Sequence, residues 1–196
     1  IAAALQKVAD KKPLVAAMGS TAASGGYYVC TPANWISAQP GTLTGSIGVL
    51  SGKVITGGLW DKLMLHREHI DRGLHSDFQT SERPFSDEER KIVWDSIQRV
   101  YDVFLSRVMS GRNLSRDTAE SVAGGRVWTG HQALHLGLVD GLGGLDAGFA
   151  KARELAGLDP RAPVREIATG RAEMPPPVPD PAGFISYVLE GLEMFT

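Results

Sequence analysis

The stretch that most limits how this chain can fold is a run of small residues between an apolar segment and a potential helix. The apolar segment is 13–18, and residues 25–30 can form a helix. Ser24 therefore lies at a predicted junction of strand, turn and helix, among side chains too small to cover its hydroxyl. The amide groups that open the helix point the same way and carry the positive end of its dipole. This arrangement is typical of acyl-transfer enzymes, which place a nucleophile beside backbone oxyanion donors.

The same small residues have a second interpretation, namely a tight turn that packs a helix onto a sheet. The sequence misses the G-x-S-x-G nucleophile elbow by one residue, because Ala22 stands where the first glycine would be. On spacing alone, the packing turn is favoured. Gly25 and Gly26 would nevertheless let a substrate approach the backbone closely, so both interpretations stay open at this point.

Composition excludes several classes of function. The chain has 196 residues, of which 43% are hydrophobic and 21% charged, as expected of one globular domain with a real core. A formal net charge of −2 gives no electrostatic basis for binding nucleic acid. The single Cys30 excludes an internal disulfide framework. The sequence contains no signal peptide and no apolar run of the ~18 residues that a membrane span needs.

Strand-like and helix-like segments alternate along the chain, which predicts an α/β fold with a mostly parallel sheet. Predicted helices cover 2–9, 25–30, 59–65, 86–111, 115–122, 130–136 and 145–155. Predicted strands cover 14–18, 34–38, 126–128 and 138–140, the first of them buried, with another around 69–70 and one that follows a loop within 42–49. The long helix begins at a capping box, Ser86 to Glu89, and 73–84 is predicted to be an exposed loop.

The apolar face predicted for the long helix has a regular period of 3.6 residues. It consists of Ile92, Val93, Ile97, Val100, Tyr101, Phe104, Leu105 and Val108. We predict a domain over 1–170, followed over 171–196 by a proline-rich spacer and an amphipathic C-terminal helix. The chain begins without Met in what resembles a helix interior, so we also expect it to be a fragment that lacks earlier strands.

A serine nucleophile needs a base, and the residues alone supply no convincing one. The histidine candidates are His66, His69 and His75, with Asp71 and Asp77 as orienting carboxylates. Lys53 and Lys62 are the nearest downstream lysines, and both are predicted to be solvated. His131 and His135 lie one helical turn apart, but a glutamine occupies the place of the general-base glutamate of zinc proteases. We therefore predict no metal site.

Four segments resemble the signal peptide peptidase A family (protease IV), which comprises serine peptidases of the ClpP/crotonase-like fold. They are 22–28, 42–49, 125–130 and 137–140, they occur in the family's order, and together they cover most of 12–158. The resemblance implies a mostly parallel sheet with flanking helices. It also implies a serine endopeptidase with a Ser–Lys dyad, which degrades cleaved signal peptides and other short unfolded apolar peptides.

The resemblance assigns roles to single residues. Ser24 matches the nucleophile, Ser46 matches a serine that hydrogen-bonds the lysine amine, and the Gly25 amide is an oxyanion donor. Short family members carry their lysine in a G-x-x-K-D-like segment, and here Ser76 stands at the lysine position. In two-repeat members the C-terminal half supplies the serine and the N-terminal half the lysine. This chain resembles such a C-terminal half, so we predict that it is inactive alone.

The resemblance further implies peptide substrates as partners, a homo-oligomer, and no cofactor. It implies a location at the periplasmic or extracytoplasmic face of the bacterial cytoplasmic membrane, through an anchor that precedes residue 1. Two rival functions stay open. One is a non-catalytic scaffold repeat, and the other is a crotonase-type acyl-CoA enzyme, which needs oxyanion amides but no nucleophilic serine.

Overall fold

Six short strands form two three-stranded sheets. The strands are β1 (Val15–Ala17), β2 (Thr21–Ala23), β3 (Trp35–Ala38), β4 (Leu43–Gly45), β5 (Val127–Thr129) and β6 (Gly141–Leu142). One sheet has the order β1-β3-β6 and is parallel throughout, whereas the other has the order β2-β4-β5, with β2 parallel and β5 antiparallel to β4. Three of these four strand pairs are parallel, which confirms the predicted α/β class.

This computed structural model describes residues 1–167, and seven helices surround the sheets in that part of the chain. They are α1 (Ala2–Ala9), α2 (Gly25–Cys30), α3 (Gly57–Lys62), α4 (Asp87–Arg112), α5 (Arg116–Val122), α6 (Gly130–His135) and α7 (Leu145–Leu155). The chain divides into two compact units, Ile1–Ala162 and Pro163–Thr196, and all helices and strands above belong to the first. The predicted spacer and C-terminal helix of 171–196 lie outside the described residues.

Local signals set the ends of the long helix α4. The Ser86 Oγ accepts a hydrogen bond from the Glu89 amide, and the Glu89 carboxylate accepts one from the Ser86 amide, so the predicted capping box is confirmed. At the other end Asn113 adopts the left-handed conformation that commonly stops a helix. Only the C-terminal part of the predicted apolar face is buried: Ile92 and Val100 are 43% and 51% exposed, whereas Val108 is fully buried.

The hydrophobic core lies where α2 and the C-terminal end of α4 meet the sheets. Its largest fully buried side chains are Tyr27, Ile36, Ile47, Leu105, Leu138, Val108 and Val139. The Tyr27 hydroxyl donates a 2.8 Å hydrogen bond to the Leu138 carbonyl, which satisfies the one polar atom of that side chain. Burial raises the pKa of Tyr27, so this group stays a neutral donor.

Several predicted strands are displaced or absent. Within 42–49 the strand β4 comes first and an irregular segment, 46–56, follows it, which reverses the predicted order. No strand forms around 69–70. The strand predicted at 138–140 begins only at Gly141, because the Ile36 amide is hydrogen-bonded by the Asp140 side chain instead of by a backbone carbonyl.

The sequence predicts a buried strand over 14–18, but the β1 residues are partly buried or exposed, and only Met18, which follows them, is buried. Strand β2 was missed altogether, because its three small residues, Thr21 to Ala23, were included in the turn before Ser24. Ser24 therefore follows its own short strand directly, and that strand pairs with β4, after which Ser46 begins the next turn. The pairing brings the two serine turns to the same edge of the second sheet.

Candidate active site

Ser24 occupies a strained position between β2 and α2. Its backbone angles are φ 52° and ψ −117°, a region that non-glycine residues rarely adopt. The Ser24 amide donates to the Gly45 carbonyl and its carbonyl accepts from the Tyr28 amide, both at 2.8 Å, so these bonds hold the backbone there. The side chain is exposed and makes no capping hydrogen bond. The hydroxyl is therefore presented at a junction of strand, turn and helix, as the sequence indicates.

Ser46 lies in a second turn with positive φ, directly after β4. Its φ is 49°, and its amide donates a 2.8 Å hydrogen bond to the Arg126 carbonyl. Gly45 precedes it at φ 76°, and a Cβ there would lie 2.8 Å from Cδ1 of Trp128. Only glycine fits this position, and the close approach joins the segments 42–49 and 125–130 that carry the family resemblance.

A cavity of about 1000 Å³ opens beside both serines. Ser24, Gly25 and Ser46 line one side, and α4 forms much of the rest. The α4 residues that line it are Trp94, Ile97, Gln98, Arg99, Val100, Tyr101, Val103 and Phe104. The Tyr28 ring meets the Phe104 ring edge to face, with 5.2 Å between centroids. The cavity is therefore mostly apolar, with the two serines at one side. The sequence does not predict that α4 lines it.

The histidine candidates do not reach this cavity. Nε2 of His69 lies 2.9 Å from Oε1 of Glu82, and that hydrogen bond raises the pKa of His69. His75 lies 3.8 Å from the carboxylate of Glu88. None of the three candidate histidines, and neither of the candidate orienters Asp71 and Asp77, lines the cavity that holds Ser24. The structure thus brings no histidine base to Ser24 within residues 1–167.

The lysines of the described part of the chain do not line the cavity either. The Lys53 Nζ donates a 3.0 Å hydrogen bond to the Phe78 carbonyl and lies 4.2 Å from the centroid of the Phe85 ring. Lys53 is partly buried and Lys62 is exposed, and both were predicted to be solvated. Ser76, at the family's lysine position, is exposed, and its Oγ donates to the Gly73 carbonyl at 3.0 Å.

A buried carboxylate fixes the segment before α4. The Arg83 guanidinium donates to both carboxylate oxygens of Glu89, at 2.7 and 2.8 Å, and to Asp77 at 2.8 Å. Glu89 is almost fully buried, and the bonds from Arg83 and from the Ser86 amide lower its pKa to about 2. These bonds connect the loop before α4 to the first turn of α4, and the following turns of α4 line the cavity. The sequence predicts the cap, but nothing in it indicates that Arg83 binds Glu89.

Asp140 fixes the fourth segment that carries the family resemblance, 137–140, to α4 and β3. Its carboxylate accepts two hydrogen bonds from Arg112, at 2.6 and 2.8 Å, and one from the Ile36 amide at 2.7 Å. The Nε of Arg112 also donates to the Gly137 carbonyl. Burial acts to raise the pKa of Asp140, but the bonds from Arg112 and Ile36 outweigh it and lower that pKa. The network joins the end of α4 to β3 behind the core.

The two histidines of α6 lie edge to face, with 4.7 Å between their ring centroids. Within residues 1–167 no third histidine, cysteine or carboxylate joins them in a group that could hold a metal ion. Among the described helices, none combines the length and the apolar character that crossing a membrane requires.

Comparison with known proteins identifies the family. Residues 6–159 match the description "Peptidase family S49". The chain is 39% identical over 155 residues to "Serine protease SPPA, chloroplastic" of Arabidopsis thaliana, covering 79% of this chain and 23% of that protein. It is 38% identical over 156 residues to "Putative protease slr0021" of Synechocystis, a match that covers 80% of this chain and 56% of that protein. It is also 38% identical over 147 residues to "Protease 4" of Salmonella typhi, covering 75% and 24%.

Solved structures with partial similarity include two different enzymes. One is named "Putative enoyl-CoA hydratase/isomerase family protein from Hyphomonas neptunium", at 18% identity and TM-score 0.40, covering 79% of this chain and 41% of that one. The other is a mutant of the 1510-N membrane-bound stomatin-specific protease with a substrate peptide, at 14% identity and TM-score 0.45, covering 97% and 78%.

The assignment rests on the sequence matches, which confirm the family resemblance carried by the four segments. The chain spans about a quarter of the plant and Salmonella relatives and just over half of the Synechocystis one. This chain therefore belongs to peptidase family S49, a family of serine peptidases.

Proposed function

We propose that this chain supplies the nucleophile of a serine endopeptidase whose general base is a lysine from another part of the whole protein. The observation that carries the proposal is the position of Ser24. Its hydroxyl is exposed on a large cavity that Gly25 and Ser46 also line, and no lysine of the described residues lines that cavity. A Ser–Lys dyad thus requires an amine from outside residues 1–167.

The proposed reaction uses Ser24, the Gly25 amide and the external lysine. A neutral lysine amine takes the Ser24 proton while Oγ forms a bond to the substrate carbonyl carbon. The carbonyl oxygen becomes an oxyanion, which the amide of Gly25 stabilises at the start of α2. The lysine then gives its proton to the leaving amine as the peptide bond breaks. Water attacks the acyl-enzyme by the same route and restores Ser24.

The surroundings favour a neutral amine. A cavity lined mostly by apolar side chains disfavours the charged form of a lysine and lowers its pKa. The Ser46 hydroxyl can accept a hydrogen bond from the amine, which would hold it near Ser24.

Apolar lining also supports the substrate class. Short unfolded peptides with apolar side chains, including cleaved signal peptides, fit a cavity with Tyr28, Val100 and Phe104 in its wall. A relative from Enterococcus faecium, 36% identical over 131 residues, is named "Putative signal peptide peptidase SppA"; the match covers 67% of this chain and 38% of the relative. We extend the proposal to a homo-oligomer at the extracytoplasmic face of the bacterial cytoplasmic membrane.

One observation favours a second candidate, a non-catalytic scaffold repeat. Ser76 stands at the lysine position of the short family members, and its hydroxyl bonds within its own turn. A repeat that had lost its base would look the same in this respect. The scaffold differs from the peptidase in one measurable property, the reactivity of the Ser24 hydroxyl in the whole protein.

Labelling with a fluorophosphonate tests the proposal. In the whole protein we expect the probe to label Ser24, and the Ser24→Ala variant to stay unlabelled. The isolated chain is expected to show neither labelling nor peptide hydrolysis, because it lacks the base. Absence of labelling in the whole protein would support the scaffold, and turnover retained in Ser24→Ala would support a crotonase-type enzyme. Hydrolysis by the isolated chain that depends on Ser24 would contradict the external lysine.

A further inference from the structure

A second cavity of about 450 Å³ lies next to the one that holds Ser24. Both are lined by Trp94 and Ile97 of α4, so the two cavities meet at these side chains. Phe85 and Val93 contribute further apolar surface to the second one. We call these two adjoining cavities the α4 groove; Ser24 lines only the first of them.

The far end of this groove is cationic. Lys53 and Arg90 line the second cavity, and no carboxylate lines it. The bond to the Phe78 carbonyl and the contact with the Phe85 ring hold the Lys53 amine in place. The nearby Glu89 is fully engaged by Arg83 and the Ser86 amide.

Arg90 is exposed, and within residues 1–167 it forms no ion pair. Its guanidinium is therefore available to a ligand, and a guanidinium can bind a carboxylate through two parallel hydrogen bonds. Lys53 adds a second positive charge to the same cavity. The chemistry of this end of the groove fits a carboxylate.

The length of the groove sets the size of peptide that could reach both ends. Fourteen residues of α4 separate Arg90 from Phe104, whose ring contacts Tyr28 one turn after Ser24. At a rise of 1.5 Å per residue this distance is about 21 Å along the helix. An extended peptide advances ~3.3 Å per residue, so about six residues would span it.

We propose that the groove binds extended peptides that carry a carboxylate about six residues from the bond at Ser24, and that Arg90 and Lys53 bind this carboxylate. The inference rests on the proposed function and adds a selection rule to it. Apolar side chains occupy the Ser24 cavity, Trp94 and Ile97 contact the middle of the peptide, and an acidic side chain or a C-terminal carboxylate occupies the second cavity.

Peptide binding to the chain tests this rule without requiring catalysis. Fluorescein-labelled apolar nonapeptides that end in Glu or Gln, each with a free or an amidated C-terminus, are titrated against the Ser24→Ala chain by fluorescence anisotropy. We expect the peptides with a carboxylate to bind about twofold to fivefold more tightly, the range of an exposed ion pair. Comparing the four end groups shows whether the cavity binds a side-chain carboxylate or a C-terminal carboxylate. Tripeptides with the same ends should show no preference, because they cannot reach both cavities.

Two substitutions on α4 form a matched pair. Arg90→Gln is expected to abolish the preference for a carboxylate. Lys91→Gln removes the same charge from the next position, which is exposed and lines neither cavity, and is expected to leave the preference intact. Both side chains are exposed, so neither variant should disturb folding.

Equal affinity for all four ends, or no binding, would overturn the inference. An equal loss of preference in the two variants would also overturn it, because that result indicates general attraction to a positive helix. Labelling of Ser24 by a fluorophosphonate in the whole protein does not depend on these outcomes. Failure of the selection rule is thereby distinguished from failure of the proposed function.

Discussion

Replacing Ser24 by glycine is expected to stabilise the protein while removing the proposed nucleophile. At φ 52° and ψ −117° a non-glycine residue carries strain on the order of 1–3 kcal/mol. Glycine removes this strain but loses more backbone entropy on folding, at a cost of roughly 0.5–1 kcal/mol. The difference is a net gain of about 1 kcal/mol. Ser24→Ala keeps the Cβ and therefore the strain, and the hydroxyl that it removes makes no capping bond, so it is the matched control.

Urea denaturation, followed by tryptophan fluorescence, measures this difference. The slope of unfolding free energy against urea is about 2 kcal/mol per M for domains near this size, so a gain of 1 kcal/mol moves the midpoint by roughly 0.5 M. We expect the Ser24→Gly midpoint to exceed the Ser24→Ala midpoint by that amount, with equal slopes. Equal midpoints, or a lower one for Ser24→Gly, would show that the turn stores no strain and would refute the reasoning.

Two further substitutions test the polar networks. Asp140→Ala should lower the free energy of unfolding by about 3 kcal/mol, because it leaves the Arg112 guanidinium, whose side chain is 8% exposed, without its carboxylate; a loss below about 1 kcal/mol in urea denaturation would contradict this. Glu89→Gln should make the free energy of unfolding depend less on pH between about 4.5 and 2. The pKa of Glu89 in the folded protein, about 2, lies below its ordinary 4.5, so its ionised form stabilises the fold above pH 4.5 and this contribution disappears as the pH falls toward 2. Thermal unfolding at a series of pH values measures this, with Glu88→Gln, at an exposed position, as the control. The same dependence of stability on pH in both variants would contradict a stabilising Arg83–Glu89 pair.

Features that depend on neighbouring residues could be predicted from the sequence. The capping box from Ser86 to Glu89 fixed the start of α4, because both hydrogen bonds join residues three positions apart. The exposure of Ser24 followed from the small residues around it. In each case the residues that determine the feature lie within a few positions of each other, so their types alone are enough to predict it.

Features that depend on distant contacts could not be predicted. The turn at Ser46 is set by the Arg126 carbonyl, which comes from a segment far along the chain. The wall of the cavity arises because Tyr28 meets Phe104, and periodicity assigned Phe104 to a core face without naming its partner. The strand expected at 69–70 does not form for the same reason, because no strand within residues 1–167 pairs with its short apolar run.

Helix α4 has a consequence for how the groove behaves over time. It has 26 residues, or about 39 Å at 1.5 Å per residue, but its buried apolar side chains are all near the C-terminal end. Segments with few buried contacts open locally at low free-energy cost, and their amide hydrogens exchange early. The half of α4 that borders both cavities is such a segment, anchored at its tip by Arg83 and Glu89. The Arg83–Glu89 ion pair thus helps to hold the N-terminal end of α4, and we expect the amide hydrogens of 90–97 to exchange earlier than those around the buried Phe104.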